Sequence, residues 1–216
     1  KIDATRAYIE QIENQKIKDY LIYCGIEAIS RVLNTTGVQA AFLKNFKTRA
    51  LNDFELKKEK TFKGKIKVFN LDILELLNKK YLHTNKNKYI LYIDPPYNTR
   101  QYGPNYHLYE TFARNDNPDA QGKTGLRNWI TESKSDFCST KTCLDFTSNI
   151  ISAAKCDKIF VSYNSDGILK IEDLEKKYGD NFKYYKQLYN RYKSDASDNR
   201  VYNETDLYEY LFVIQK

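Results

Sequence analysis

The apolar run Tyr89-Ile90-Leu91-Tyr92-Ile93, closed by Asp94-Pro95-Pro96-Tyr97, constrains the fold more than any other stretch. β-Prone residues ending on a carboxylate and two prolines, which lack the N–H that a ladder needs, predict a buried strand that stops abruptly at its carboxyl end. In open α/β sheets that end is where ligands sit. The tetrapeptide suits methyl transfer to an exocyclic amino nitrogen of a planar base. Such a nitrogen is a poor nucleophile because its lone pair is delocalised into the ring, so a catalyst must accept hydrogen bonds from the amino hydrogens and let the nitrogen pyramidalise. Asp94 and the carbonyl of Pro95 or Pro96 are two acceptors on a backbone that the prolines stiffen. Tyr97 offers a flat face on which a base can stack. A rigid turn is the plainer reading of Asp-Pro-Pro alone; Tyr97 and the strand in front of it favour chemistry.

With 216 residues and 41% hydrophobic composition, the chain can bury one full core, which predicts one domain with a subdomain and excludes a disordered tail. The sequence has no run of eighteen apolar residues to cross a membrane as a helix. Its first residues, KIDATRAYIE, are an amphipathic mixture unlike a signal peptide. A net charge of +7 implies an anionic partner, although a solvated lysine-rich surface satisfies the same number. Cys24, Cys138, Cys143 and Cys156 have neither a CxxC spacing nor a histidine beside the close pair, so no metal site is expected and reduced cytoplasmic thiols are the plain reading.

In chain order, residues 3–33 read as one amphipathic helix with Ile17, Tyr20, Leu21, Cys24, Ala28, Ile29, Val32 and Leu33 on its buried face. Asn34-Thr35-Thr36-Gly37 then stops it and caps a second helix over 38–46. Residues 44–67 are the most basic stretch, with Phe46, Phe54 and Phe62 interleaved, which suits a loop or hairpin following phosphates; a solvated linker explains the charges equally well. Residues 66–69 read as a short strand, with Asp72 at its carboxyl end capping a helix over 73–80.

After Tyr97, residues 98–104 form a polar loop in which Arg100 is placed to hold a phosphate and Gln101 to reach a base edge. Residues 106–114 read as helix, where His107 is expected to pack and not to act as acid or base. Residues 115–137 have loop composition, and Arg127 with Trp129 makes them a second candidate for DNA contact. A helix over 140–154, a strand over 158–163 and a helix over 172–178 follow, with Tyr163-Asn164-Ser165-Asp166-Gly167 as a turn at a second strand end. Residues 182–192 and 207–214 read as a terminal antiparallel pair joined by a polar, mobile segment.

The stretch YILYIDPPYNTRQYGPNYHLYETFAR, residues 89–114, resembles the motif IV region of Dam-like, adenine-specific DNA methyltransferases of restriction-modification systems. The segments KIDATRAYIEQI, NTTGVQAAFLKNFK, FNLDILELL, GKTGLR, KSDFCS, IFVSYNSDGILK and EYLFVI are similar to the same family in the same order. The resemblance implies an α/β fold with a Rossmann-like S-adenosylmethionine-dependent methyltransferase sheet, residues 66–216 as its catalytic core, and residues 1–65 as a helical and basic DNA-contacting segment. It implies methyl transfer from S-adenosylmethionine to the amino group of a flipped adenine in double-stranded DNA, with a cognate restriction endonuclease as partner and the cytoplasm as location.

The same resemblance assigns Asp94, Pro95, Pro96 and Tyr97 to catalysis and Asp72 with Asp94 to the cofactor. It assigns Asn98, Arg100, Gln101, Tyr102, Arg127, Tyr163 and Asn164 to the DNA. The chain departs from the family in lacking a Phe-x-Gly-x-Gly cofactor loop, and it contains no Met. The N-terminal part of the fold is therefore expected to be missing, together with two strands between those ending at Asp72 and Asp94. Direct pairing of 66–69 with 89–93 would overturn that strand order. Three alternatives stand beside the adenine reading. Cytosine amino methyltransferases usually have Ser where Asp94 stands. Ribosomal RNA base-amino methyltransferases also carry Asp-Pro-Pro-Tyr, and a catalytically silent DNA-binding fragment or subunit is the third.

Overall fold

Leu91–Ile93 forms strand β1, shorter than the buried run expected over 89–93 and buried only at Ile93. Ile90 and Tyr92 are exposed because β1 has a strand on one side alone among the described residues. The strand ends where Asp94 and the prolines break the ladder. The structure, a computed structural model, describes residues 1–79, 89–131, 133–189 and 207–216. The chain divides into two units, one of residues 1–65 with 102–134 and the other of residues 66–101 with 135–216.

The second unit is built on a mixed sheet of β1, β2 (Lys158–Asn164), β3 (Phe182–Tyr189) and β4 (Leu207–Gln215), in the order β1-β2-β4-β3. β1 runs parallel to β2, with Leu91 opposite Ile159 and Ile93 opposite Val161. β4 is antiparallel to both β2 and β3, with Phe212 opposite Val161 and also opposite Tyr184. Alternation puts Ile159, Val161 and Tyr163 of β2 on the same face as Phe212 and Ile214 of β4, and all five are buried. Helices α3 (Ile73–Leu77), α6 (Cys143–Ala153) and α7 (Ile171–Tyr178) contribute Leu77, Cys143, Ile150, Ile151 and Leu174 to this core. In α6 the buried Cys143, Thr147, Ile150 and Ile151 recur at helical spacing, so one stripe faces the sheet.

Residues 66–69 form no strand, contrary to the pattern of Ile66-Lys67-Val68-Phe69. A strand exists only where a neighbour takes up its N–H and C=O groups, and here Ile66 and Val68 are exposed, the latter at 88%. They do not pair with β1, which is an edge strand among the described residues. The helix expected over 73–80 closes at Leu77, and Lys80 lies outside the described residues. The expected antiparallel pair is present as β3 and β4; residues 190–192 and the connecting segment to 206 also lie outside them.

The first unit contains α1 (Ile2–Glu10), α2 (Gln15–Val32), α4 (Tyr102–Asn105) and α5 (His107–Arg114). The helix expected over 3–33 is thus two helices. Asn14 starts the second, its side-chain Oδ1 accepting from the amide of Ile17 at 3.2 Å, a cap that overrides the continuous apolar stripe. No helix forms over 38–46, because Gln39 is held by tertiary bonds. Its amide donates to the Asn105 carbonyl at 2.8 Å, and its Oε1 accepts from the amide of Leu108 at 2.7 Å. α2 and α5 approach closely at Gly25, where a Cβ would collide with the Phe112 ring. Arg6, buried, donates from Nε to the Phe112 carbonyl at 2.7 Å and from Nη2 to the Ala113 carbonyl at 3.3 Å, satisfying carbonyls at the end of α5.

His107 is buried on α5 with neither ring nitrogen hydrogen-bonded among the described residues. Burial lowers its pKa from the ordinary 6.5, partly opposed by the nearby Gln39 backbone and assisted to a lesser degree by the positive Arg127. The unfolded chain therefore takes up a proton that the folded unit resists. The associated stability is complete above about pH 6.5 and is lost as the pH falls below it. Urea midpoints measured between about pH 7 and pH 5 are expected to fall in the unaltered protein and to flatten in His107→Phe.

Candidate active site

Because β1 and β2 are parallel and in register, Asp94 and Asn164 emerge at the same edge of the sheet. Asp94 is exposed, and among the described residues nothing hydrogen-bonds its carboxylate. Pro95 is buried and Pro96 half-buried, and among the described residues no donor occupies either proline carbonyl. Tyr97 is 40% exposed, which leaves a ring face open to a ligand. The tip of β1 thus presents a free carboxylate, unengaged carbonyls and an accessible aromatic ring on a backbone of restricted φ.

The next turn is fixed by local bonds. Asn98 accepts at Oδ1 from the amide of Arg100 at 2.9 Å, and the Arg100 carbonyl accepts from Cys138 Sγ at 3.3 Å. The side chain of Gln101 is consumed by the backbone of Ser135, donating to its carbonyl at 3.1 Å and accepting from its amide at 2.8 Å. It ties the loop down, so its amide is not free for the base edge expected of it. Arg100 itself is exposed, with no ion-pair partner among the described residues.

Tyr163 and Asn164 sit deeper than the sequence implies. Tyr163 is 2% exposed, and burial pushes its phenol pKa up. Its hydroxyl donates to the Tyr97 carbonyl at 3.2 Å and accepts from the amide of Leu169 at 3.1 Å. The amide of Ile168 reaches the same Tyr97 carbonyl at 2.9 Å. Asn164, buried, donates from Nδ2 to Glu209 at 2.9 Å and accepts from the amide of Asp166 at 2.9 Å, joining the end of β2 to the start of β4. Gly167 lies in the turn that the sequence places at the end of this strand, whereas no spacing marks the Ile168 amide as the group that reaches back to Tyr97.

Tyr102 and Arg127 belong to the first unit. The ring of Tyr102 is 52% exposed and meets Tyr106 edge-on at 5.5 Å. Arg127 is buried and donates to both carboxylate oxygens of Asp116, at 3.1 and 2.6 Å. Its guanidinium holds the Asp116 pKa below the usual carboxylate range. This fork closes the 115–137 loop onto itself, a structural task where the sequence pointed to DNA. In the basic stretch Phe46 and Phe62 are 73% and 88% exposed, whereas Phe54 packs beside Ile9, Ile29 and Phe112. Within it Lys57 pairs with Glu55, and Glu59 pairs with Arg31 of α2.

Asp72 caps α3, its Oδ1 accepting from the amide of Leu74 at 2.8 Å. The residue is exposed, and Oδ2 remains available as an acceptor.

Comparison with known proteins bears on the same residues. The chain is 36% identical over 228 aligned residues to the type II methyltransferase M.FokI of Planomicrobium okeanokoites, covering 100% of this chain and 34% of the relative. It is 34% identical to the type II methyltransferase M.NlaIII of Neisseria lactamica, covering 100% of this chain and 65% of that protein. Against the modification methylase StsI of Streptococcus sanguinis the identity is 36%, over 100% of this chain and 33% of the relative. The chain therefore spans between a third and two-thirds of the length of these relatives. No solved structure matches. Residues 1–178, which include Asp72, the Asp94–Tyr97 tip and the Tyr163 contact, match the model of one family, and the chain belongs to the D12 class N6 adenine-specific DNA methyltransferases.

Proposed function

We propose that the protein carrying this chain methylates the exocyclic amino group of adenine in a specific sequence of double-stranded DNA, with S-adenosylmethionine as donor. The observation that carries this reading is the exposed, unpartnered carboxylate of Asp94 at the carboxyl end of β1, beside proline carbonyls that no described donor occupies. Asp94 and a carbonyl of Pro95 or Pro96 accept the two amino hydrogens, which draws the nitrogen lone pair out of conjugation. Tyr97 stacks on the base, which must leave the duplex because its amino group cannot meet a methyl donor in line while stacked. Asp72 accepts a hydrogen bond from the donor's adenosine portion, and the donor supplies an electrophilic methyl group. No strong base is needed, since the amino group loses its proton after the bond forms.

The sheet fits as part of a Rossmann-like methyltransferase sheet, a reading supported by the parallel β1–β2 pair and the Asp94 carboxylate at the end of β1. Arg100 and the exposed lysines of the 44–67 stretch supply phosphate contacts. A cognate restriction endonuclease acting on the same sequence is the expected partner, and the cytoplasm the expected location. Among the described residues no helix is long and apolar enough to cross a membrane.

The test is to incubate the complete protein with labelled S-adenosylmethionine and, in parallel, unmethylated plasmid DNA or ribosomal RNA, then analyse the nucleosides by mass. N6-methyldeoxyadenosine is the expected product. Label in N4-methylcytosine, or only in ribosomal RNA, would overturn the adenine assignment, and DNA retention with no label would turn the reading to a silent DNA-binding subunit.

A further inference from the structure

We propose that Tyr163 is a positioning residue for methyl transfer: its buried hydroxyl, with the amide of Ile168, clamps the Tyr97 carbonyl and thereby fixes the acceptors at Asp94, Pro95 and Pro96. The inference rests on the methyltransferase reading above and gives Tyr163 a different task from the base contact that the sequence implies. At 2% exposure its ring has no face to offer a base. One ring face is taken by Phe212, at a centroid distance of 5.8 Å.

The bonding is specific. The Tyr97 carbonyl accepts from the Tyr163 hydroxyl at 3.2 Å and from the Ile168 amide at 2.9 Å, so both of its lone pairs are engaged. The hydroxyl is itself oriented by the Leu169 amide, which donates to it at 3.1 Å. Anchoring Tyr97 constrains Asp94 because the intervening residues are prolines whose rings lock φ, leaving few torsions to absorb a displacement. Gly167 makes the clamp possible: a Cβ there would collide with the Tyr163 ring and the Asn164 carbonyl, so a larger residue would push the ring away from Tyr97. The turn after β2 and the tip of β1 are thereby one hydrogen-bonded unit, built from two strand ends that sit side by side.

Five forms of the complete protein test this: unaltered, Tyr163→Phe, Gly167→Ala, the double variant of those two, and Tyr178→Phe. The last removes a hydroxyl that donates to Ser148 Oγ at 3.3 Å, in the same unit but away from the β1 tip, and serves as the control. Single-turnover methylation of unmethylated plasmid, DNA affinity and urea midpoint are read for each. Tyr163→Phe keeps the ring packing and is expected to slow methyl transfer about tenfold while DNA affinity stays within about twofold. Gly167→Ala is expected to slow it at least as much, and the double variant no further than Gly167→Ala alone, because both act through one contact. Tyr178→Phe is expected to keep the unaltered rate. A normal rate in Tyr163→Phe, an equal loss in Tyr178→Phe, or additive losses in the double variant would overturn the clamp. Absence of adenine methylation by the unaltered protein would instead overturn the reading beneath it, and the positioning role of Tyr163 with it.

Discussion

Asp94→Ala is expected to reduce methyl transfer by about 10²- to 10³-fold, the loss typical when one preorganised hydrogen-bonding group at a reacting centre is removed. The carboxylate is exposed and engages nothing else among the described residues, so its removal leaves no buried partner unsatisfied. Stability should therefore change by no more than about 0.5 kcal/mol, and DNA affinity should be retained. Asp94→Asn keeps an acceptor oxygen but replaces the other with a donor that faces the amino hydrogens, so it should fall between alanine and the native residue. Single-turnover methylation alongside a DNA-retention assay checks both. A fully active Asp94→Ala protein would remove the central assignment.

Phe212→Ala is expected to destabilise the sheet-bearing unit by about 3–5 kcal/mol, the usual cost of deleting a fully buried aromatic ring. Phe212 is 0% exposed, and its ring centroid lies 5.8 Å from Tyr163 and 5.6 Å from both Phe182 and Tyr210. Three strands meet at this ring, since β4 lies between β2 and β3. The cavity left behind cannot close without moving the sheet's own backbone. The same substitution removes the surface against which Tyr163 is packed, so methylation should fall together with stability. Tyr163→Phe, by contrast, should lose rate with the fold retained. Urea unfolding followed by far-ultraviolet circular dichroism separates the two; an unchanged midpoint in Phe212→Ala would show that the core does not depend on this ring.

The parts of the fold legible in the sequence share a local cause. β1, β2, β3, β4 and α6 all lie within stretches whose apolar periodicity or turn signals belong to the residues themselves. The stop of β1 at Asp94 follows from proline's missing N–H. Where the sequence reading failed, a non-local partner decided the outcome. Residues 66–69 have strand periodicity and, among the described residues, no strand beside them. Residues 38–46 have helix-forming residues but surrender Gln39 to Asn105 and Leu108, more than sixty residues away. Gln101 and Arg127, which belong to different units, carry the chemistry of DNA readers, and each is hydrogen-bonded inside its own unit, to Ser135 and to Asp116.

The acceptor, the stiff backbone and the aromatic neighbour at the tip of β1 are contained in four consecutive residues, so they could be read before any fold was known. How that tip is held depends on the folded chain. The Tyr97 carbonyl is taken by groups from the end of β2 and the turn behind it, about seventy residues on, and no periodicity or spacing in a linear chain specifies which hydroxyl will meet which carbonyl.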